Sequence, residues 1–207
     1  MIFSHFIDQL NTSITLLQQN LPFILSCIAG LWCIHFINWI LGGRLMILGV
    51  YPRKGFSVLG IFFYPFIHGN FNHLFFNSIP LFILGSFVLL LGYPTFYCVT
   101  ITIIVLSGLA TWLLGRGGFH IGASGLIMGY WAFLLINAYF QQVSVLTVAP
   151  AIVCVYYFGG FLFQLFPTDI KTSFEAHLFG FLAGIAAFYA CPVFYCKFST
   201  YLCTHIT

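Results

Sequence analysis

Six stretches of this chain, 21–41, 72–92, 95–114, 124–140, 145–166 and 174–195, run almost unbroken through apolar residues, and together they hold a single charged side chain, Glu175. That pattern leaves few ways to fold. Backbone polar groups in hydrocarbon must pair within the protein, so only helices and closed barrels span a bilayer. Runs near 20 residues match a helix crossing a hydrocarbon core of about 30 Å. The expectation is an all-α membrane protein, a bundle of six transmembrane helices. Composition agrees: 4% of the residues are charged, against about 25% in a soluble domain, and the mean hydropathy is +1.07.

Pro80 and Pro192 fall inside the second and sixth runs, where neighbouring helices can re-satisfy the freed backbone groups. The fourth run is short, which suits a helix that begins within the protein, below its surface. Residues 1–20 are mildly polar and lack Lys and Arg. They form a poor signal-peptide n-region and read as an N-terminal tail. The membrane domain is expected over 21–195 and a C-terminal tail over 196–207. A formal charge of +3 is too small to point to nucleic acid. Seven cysteines are scattered, mostly in apolar runs, without metal-ligand spacing. No disulfide framework, zinc site or cofactor is expected from them.

The first two spans are joined by the longest connection, about 42–71. It contains Gly42-Gly43 and Pro52-Arg53-Lys54-Gly55, then the apolar Val58 to Phe63. It is too broken to span and too apolar to float in water, so it reads as an element lying in the membrane interface. The most polar internal connection is 167–173. Six spans put both connections, and the 115–121 loop, on one side of the bilayer. Arg44, Arg53, Lys54, Arg116 and Lys171 lie there, against Lys197 on the other. By charge alone that side is cytoplasmic.

Polar residues at membrane depth are costly and are functional candidates. His35, alone in the first span, reads as a satisfied structural histidine. Ser124 is different. It stands in Gly122-Ala123-Ser124-Gly125, where a polar loop becomes a long apolar run. The first N–H groups of a helix have no intrahelical partner, and its N-terminus carries partial positive charge. One short segment thus offers a hydroxyl nucleophile and an oxyanion donor. Taken by itself the motif also fits a small-residue packing site, because Gly125 and Gly129 form a small-xxx-small pair.

The remaining polar residues favour chemistry. His73 and Asn77 are four apart on the first turns of the second span and share a face. His177, Gly180 and Gly184 lie along one face of the sixth span. If the glycines of the fourth and sixth spans pack together, His177 meets Ser124, and an imidazole beside a serine hydroxyl makes it a nucleophile. Spans two, four and six start on the same side, so Ser124, His73, Asn77 and His177 share a depth. Of the three acids, Asp8 is in the tail, Asp169 is in a loop, and Glu175 is two residues from His177, facing away. The reading is a Ser–His dyad with no carboxylate member.

These residues resemble the rhomboid intramembrane serine proteases. His73-Leu74-Phe75-Phe76-Asn77 matches the family's H-x-x-x-N motif, followed by Pro80-Leu81 and Gly85. Gly122-Ala123-Ser124-Gly125 matches the nucleophile motif, and Ser173 to Gly180 the base motif. Tyr51-Pro52-Arg53 with Gly60-Ile61, then Pro65 to His68, looks like the entry of the first loop. The resemblance implies a six-helix core with a long interfacial first loop, and cleavage of single-span membrane proteins near the membrane surface. It makes Ser124 the nucleophile, His177 the general base, and His73, Asn77 and the Ser124 N–H the oxyanion donors. It sets His68 near the site entrance and makes 167–173 a mobile cap. Partners would be transmembrane substrates and lipid, with no cofactor and no nucleic acid. The family places the catalytic side outside the cell, so a cell-membrane protein facing the extracytoplasmic side is expected despite the charge count. Two features depart from the family: the Trp-Arg pair of the first loop has no counterpart, and Leu89 stands where a glutamate is common.

A silent rhomboid-like protein that binds membrane clients is the alternative; such relatives usually lack the serine or the histidine. A transporter or channel predicts charges buried mid-span, and here there are almost none.

Overall fold

The computed structural model describes residues 2–166 and 174–191. The polar connection 167–173 and the tail 196–207 lie outside the described residues. Among those described the chain is helical, with one isolated bridge, between Val50 and His120.

Helix α1 runs Ile2–Ile40 without a break, so the residues read as a tail are helical and continuous with the first apolar run. It ends where Gly42 and Gly43 take left-handed conformations, φ 64° and 85°, which only glycine adopts at no steric cost. Short turns follow at Arg44–Leu48 and Gly55–Ser57, then α2 over Gly60–Phe63 and a 3-10 turn over Tyr64–Phe66. Helix α3 spans Phe71–Leu89, and its N-cap Asn70 accepts a hydrogen bond from the His73 N–H at 2.8 Å. Helix α4 spans Tyr93–Leu114 and α5 Ser124–Phe140. Helix α6, Val145–Tyr156, opens with a Ser144/Thr147 capping box. It bends by 60° into the 3-10 segment Gly159–Leu165. Helix α7 spans Phe174–Ala190.

Among the described residues three helices are long and apolar enough to cross a membrane unaided: Phe6–Ile40, Phe71–Leu89 and Tyr93–Leu114. The bent pair Val145–Tyr156 and Gly159–Leu165 makes a fourth if taken as one span. Helices α5 and α7 are equally apolar but have 17 residues each, about 26 Å of helix at 1.5 Å per residue. The centre of the bundle is α5. Every residue from Gly125 to Leu134 is buried, and a helix apolar on all sides belongs inside other helices. It packs most extensively on α7, and also on α3, α4 and α6.

The first loop is tied down by a device the sequence did not suggest. Arg53, at φ 60°, donates Nη1 to the carbonyls of Leu113 and Gly115 at 3.1 and 3.0 Å. Its N–H donates to the Trp112 carbonyl at 2.9 Å, and the Trp112 indole donates to the Lys54 carbonyl at 3.1 Å. A cation on the last carbonyls of a helix satisfies acceptors that have no intrahelical donor. This Arg53–Trp112 arrangement anchors the first loop to the end of α4.

The cysteine reading needs one correction. Cys98 of α4 and Cys191, just past α7, form a disulfide with a Cα–Cα distance of 5.8 Å. They are 93 residues apart in sequence, and only the packing of α7 against α4 brings them together.

Candidate active site

The segment before α5 is held from three sides. Val50 and His120 exchange both main-chain hydrogen bonds, at 3.0 and 2.8 Å. The Gly122 N–H donates to the Tyr64 carbonyl at 2.9 Å, and the Tyr64 hydroxyl is 2.6 Å from Ser107 Oγ on α4. The Ala123 N–H donates to His68 Nε2 at 3.3 Å. Gly122, at φ +105°, makes the final turn, and Ser124 becomes the first residue of α5. Its N–H therefore belongs to the helix N-terminal group that lacks an intrahelical acceptor.

His68 is 1% exposed. Burial, and next the neighbouring His73, push its pKa from 6.5 down to about 3. It is neutral at physiological pH, which leaves Nε2 free to accept from Ala123. The rings of His68 and His73 meet edge to face, centroids 5.1 Å apart.

His73 and Asn77 converge on the turn that precedes Ser124. A Cβ on Gly122 would lie 2.6 Å from both Cε1 and Nε2 of His73 and 3.3 Å from Asn77 Nδ2. The Asn77 side chain is buried, and Nδ2 has no hydrogen-bond partner among the described residues. A buried donor left unsatisfied costs free energy, and a fixed donor of this kind suits an oxyanion that exists only during reaction.

Helices α5 and α7 meet backbone to backbone. A Cβ on Gly180 would collide with the Gly125 carbonyl, and one on Gly184 with the Gly129 carbonyl. A Cβ on Gly125 would stand 3.0 Å from the Ala176 carbonyl. Ser124 and His177 are the chain neighbours of that last pair, one on each helix. His177 Nδ1 lies 3.3 Å from the Gln164 carbonyl. A carbonyl only accepts, so this contact puts the imidazole proton on Nδ1 and leaves Nε2 as the basic nitrogen.

Glu175 turns away from His177 and pairs with Arg116. Arg116 Nε donates to Oε1, and Nη2 to Oε2 at 3.2 Å. The hydrogen bond to the Glu175 carboxylate, and next its charge, hold the Arg116 guanidinium above its usual pKa. His35, read as a satisfied histidine, has a buried Nδ1 without a hydrogen-bond partner among the described residues. Among the described residues no group of three or more His, Cys, Asp or Glu is placed to hold a metal ion.

Sequence reasoning missed Tyr64, the Gln164 carbonyl and Arg116. Each acts through a main-chain group or across a long loop, where no short motif records it. His120 takes part through its main chain, in the bridge to Val50.

A family model described as the Rhomboid domain matches residues 55–193. The chain is similar to an uncharacterized protein of Mycobacterium tuberculosis H37Rv, 37% identical over 175 residues, or 80% of this chain and 72% of the relative. The same figures hold for an uncharacterized protein of Mycobacterium bovis. An uncharacterized protein of Mycobacterium leprae is 34% identical over 175 residues, 80% of this chain and 69% of the relative.

Proposed function

The chain belongs to the rhomboid family, and from that premise we propose that it is an intramembrane serine endopeptidase cleaving single-span membrane proteins near the membrane surface. The protein is membrane-embedded and helical. We take α5, α7 and the bent α6 segment as spans alongside the three longer helices, six in all. The first loop, 42–70, would lie in the interface, with the site open to the extracytoplasmic side.

The observation that carries the proposal is the buried Nδ2 of Asn77, unpartnered among the described residues and placed beside His73 against Gly122, two residues ahead of a helix-initial serine. In the proposed reaction Ser124 Oγ attacks the scissile carbonyl and His177 Nε2 takes its proton. The developing oxyanion is stabilised by the Ser124 N–H, His73 and Asn77 Nδ2. Such donors are worth most where water is excluded, each about 10²–10³ in rate. The Gln164 carbonyl does for the imidazole what a carboxylate does in a triad: it sets the tautomer and the ring orientation. His177 then returns the proton to the leaving amine. The acyl-enzyme is released by water, with the same base.

The test is labelling of the purified protein in lipid by a fluorophosphonate, beside cleavage of a panel of single-span substrates. Labelling and cleavage that vanish in Ser124→Ala and His177→Ala support the proposal. A wild-type protein that binds membrane clients but takes no label would instead be the silent rhomboid-like protein.

A further inference from the structure

Arg116 and Glu175 sit outside the proposed chemistry, yet they join the two elements that would carry it. Arg116 begins the loop that leads to Ser124; Glu175 is the second residue of α7, two before His177. The contact is side-on and doubly donated, Nε to Oε1 and Nη2 to Oε2, with the Arg116 N–H a further 3.4 Å from Oε1. Two N–H groups directed at one carboxylate fix orientation as well as distance. The guanidinium also covers the Phe174 ring, Cζ 4.9 Å from its centroid. The Glu175 side chain is 6% exposed and that of Arg116 49%. The carboxylate is thus buried at the helix start and the cation reaches in from the surface to meet it.

The pair continues into the loop. The Arg116 carbonyl accepts from His120 Nε2 at 2.9 Å, and His120 is bridged to Val50 of the first loop. Just ahead of Arg116, the Gly115 carbonyl accepts from Arg53. The first loop therefore holds this segment on one side and α7 holds it on the other.

We propose that Arg116 and Glu175 are positioning residues: their ion pair holds the segment carrying Ser124 onto the helix carrying His177, and so sets how the hydroxyl meets the imidazole. This rests on the reading of Ser124 as nucleophile and His177 as base. Small displacements matter in such a site, because a shift of about 1 Å can cost on the order of 10² in rate.

Removing Arg116 alone strands the buried Glu175 carboxylate and can unfold the protein. The decisive variant is the double replacement Arg116→Met with Glu175→Leu, which removes the charge together with its partner. Arg116→Lys serves as the conservative variant, keeping the charge but not the two-point geometry. Two readouts are needed in the same lipid preparation: the rate of fluorophosphonate labelling, and hydrogen exchange over 116–123. The expected result is a double variant with near wild-type melting temperature, at least about tenfold slower labelling and faster exchange in 116–123, with Arg116→Lys in between. In cleavage assays the loss should fall on kcat rather than KM. Unchanged labelling and exchange in the double variant would overturn the proposal. If the wild-type protein takes no label, the protease reading fails, and exchange over 116–123 still decides the clamp: faster exchange supports it and unchanged exchange removes it.

Discussion

His73 occupies the space that a side chain on Gly122 would need: a Cβ there would lie 2.6 Å from two atoms of its ring. The glycine at φ +105° thus does two things at once. It turns the chain into α5 with Ser124 at the first position, and it lets the imidazole sit beside the turn.

Gly122→Ala should therefore fail on both counts. The strained backbone costs about 1–3 kcal/mol, and the methyl group displaces His73. The expected outcome is a lower melting temperature and fluorophosphonate labelling slowed by about 10² or more. Labelling at the wild-type rate would show that His73 has no part in the reaction.

Asn77→Ala removes a buried amide whose Nδ2 has no hydrogen-bond partner among the described residues. Little stability is lost with it. Cleavage should fall by about 10²–10³ in kcat with KM nearly unchanged. An equal rise in KM with kcat intact would make Asn77 a substrate-binding group instead.

Gly184 faces the Gly129 carbonyl with no room for a side chain. Gly184→Val should push α7 from α5, at a cost of roughly 1–3 kcal/mol, and separate His177 from Ser124. Melting temperature and activity should drop together. A stable but inactive variant would mean that the helices tolerate the wedge and that only the site is disturbed.

His68 gives the protein a pH-dependent term. Its pKa is about 3 in the fold against an ordinary value of 6.5. Between those values the unfolded chain binds a proton that the folded one refuses, so stability falls as pH falls. The contribution is complete above about pH 6.5 and is lost as pH drops towards about 3, at up to about 1.4 kcal/mol per pH unit. Melting temperature measured from about pH 7 to pH 4 should decline, and His68→Gln should flatten that decline. An equal slope in the variant would assign the effect to other groups.

A substrate helix hides its carbonyls in its own hydrogen bonds, so it must unwind before Ser124 can attack. Gly costs about 1 kcal/mol and Pro about 3 relative to Ala inside a helix. Cleavage should follow a small residue near the top of a substrate span and be faster with Gly or Pro just downstream. Substrates differing only at those positions, compared by kcat/KM, test this; no gain from Gly or Pro over Leu would mean that unwinding is not limiting.

What the sequence by itself determined is local. Lipid admits no unpaired backbone, so the spacing of charges and apolar runs was enough to specify helices in a membrane. The helix-start position of Ser124, the four-residue step from His73 to Asn77, and the glycine faces of α5 and α7 all follow from helical periodicity. The rest required the tertiary structure. Residues 2–20 are weakly apolar, and no composition rule marks them as one helix with the next 20. Cys98 and Cys191 became neighbours only when α7 packed on α4. The Gln164 carbonyl beside His177, the Tyr64 carbonyl under Gly122 and the Arg53 cap on α4 are contacts of main-chain groups, which every residue carries and no side-chain pattern records. Glu175 could be seen to face away from His177; that it faces Arg116 depended on how a loop folds over the top of the bundle, and loops have no period to read.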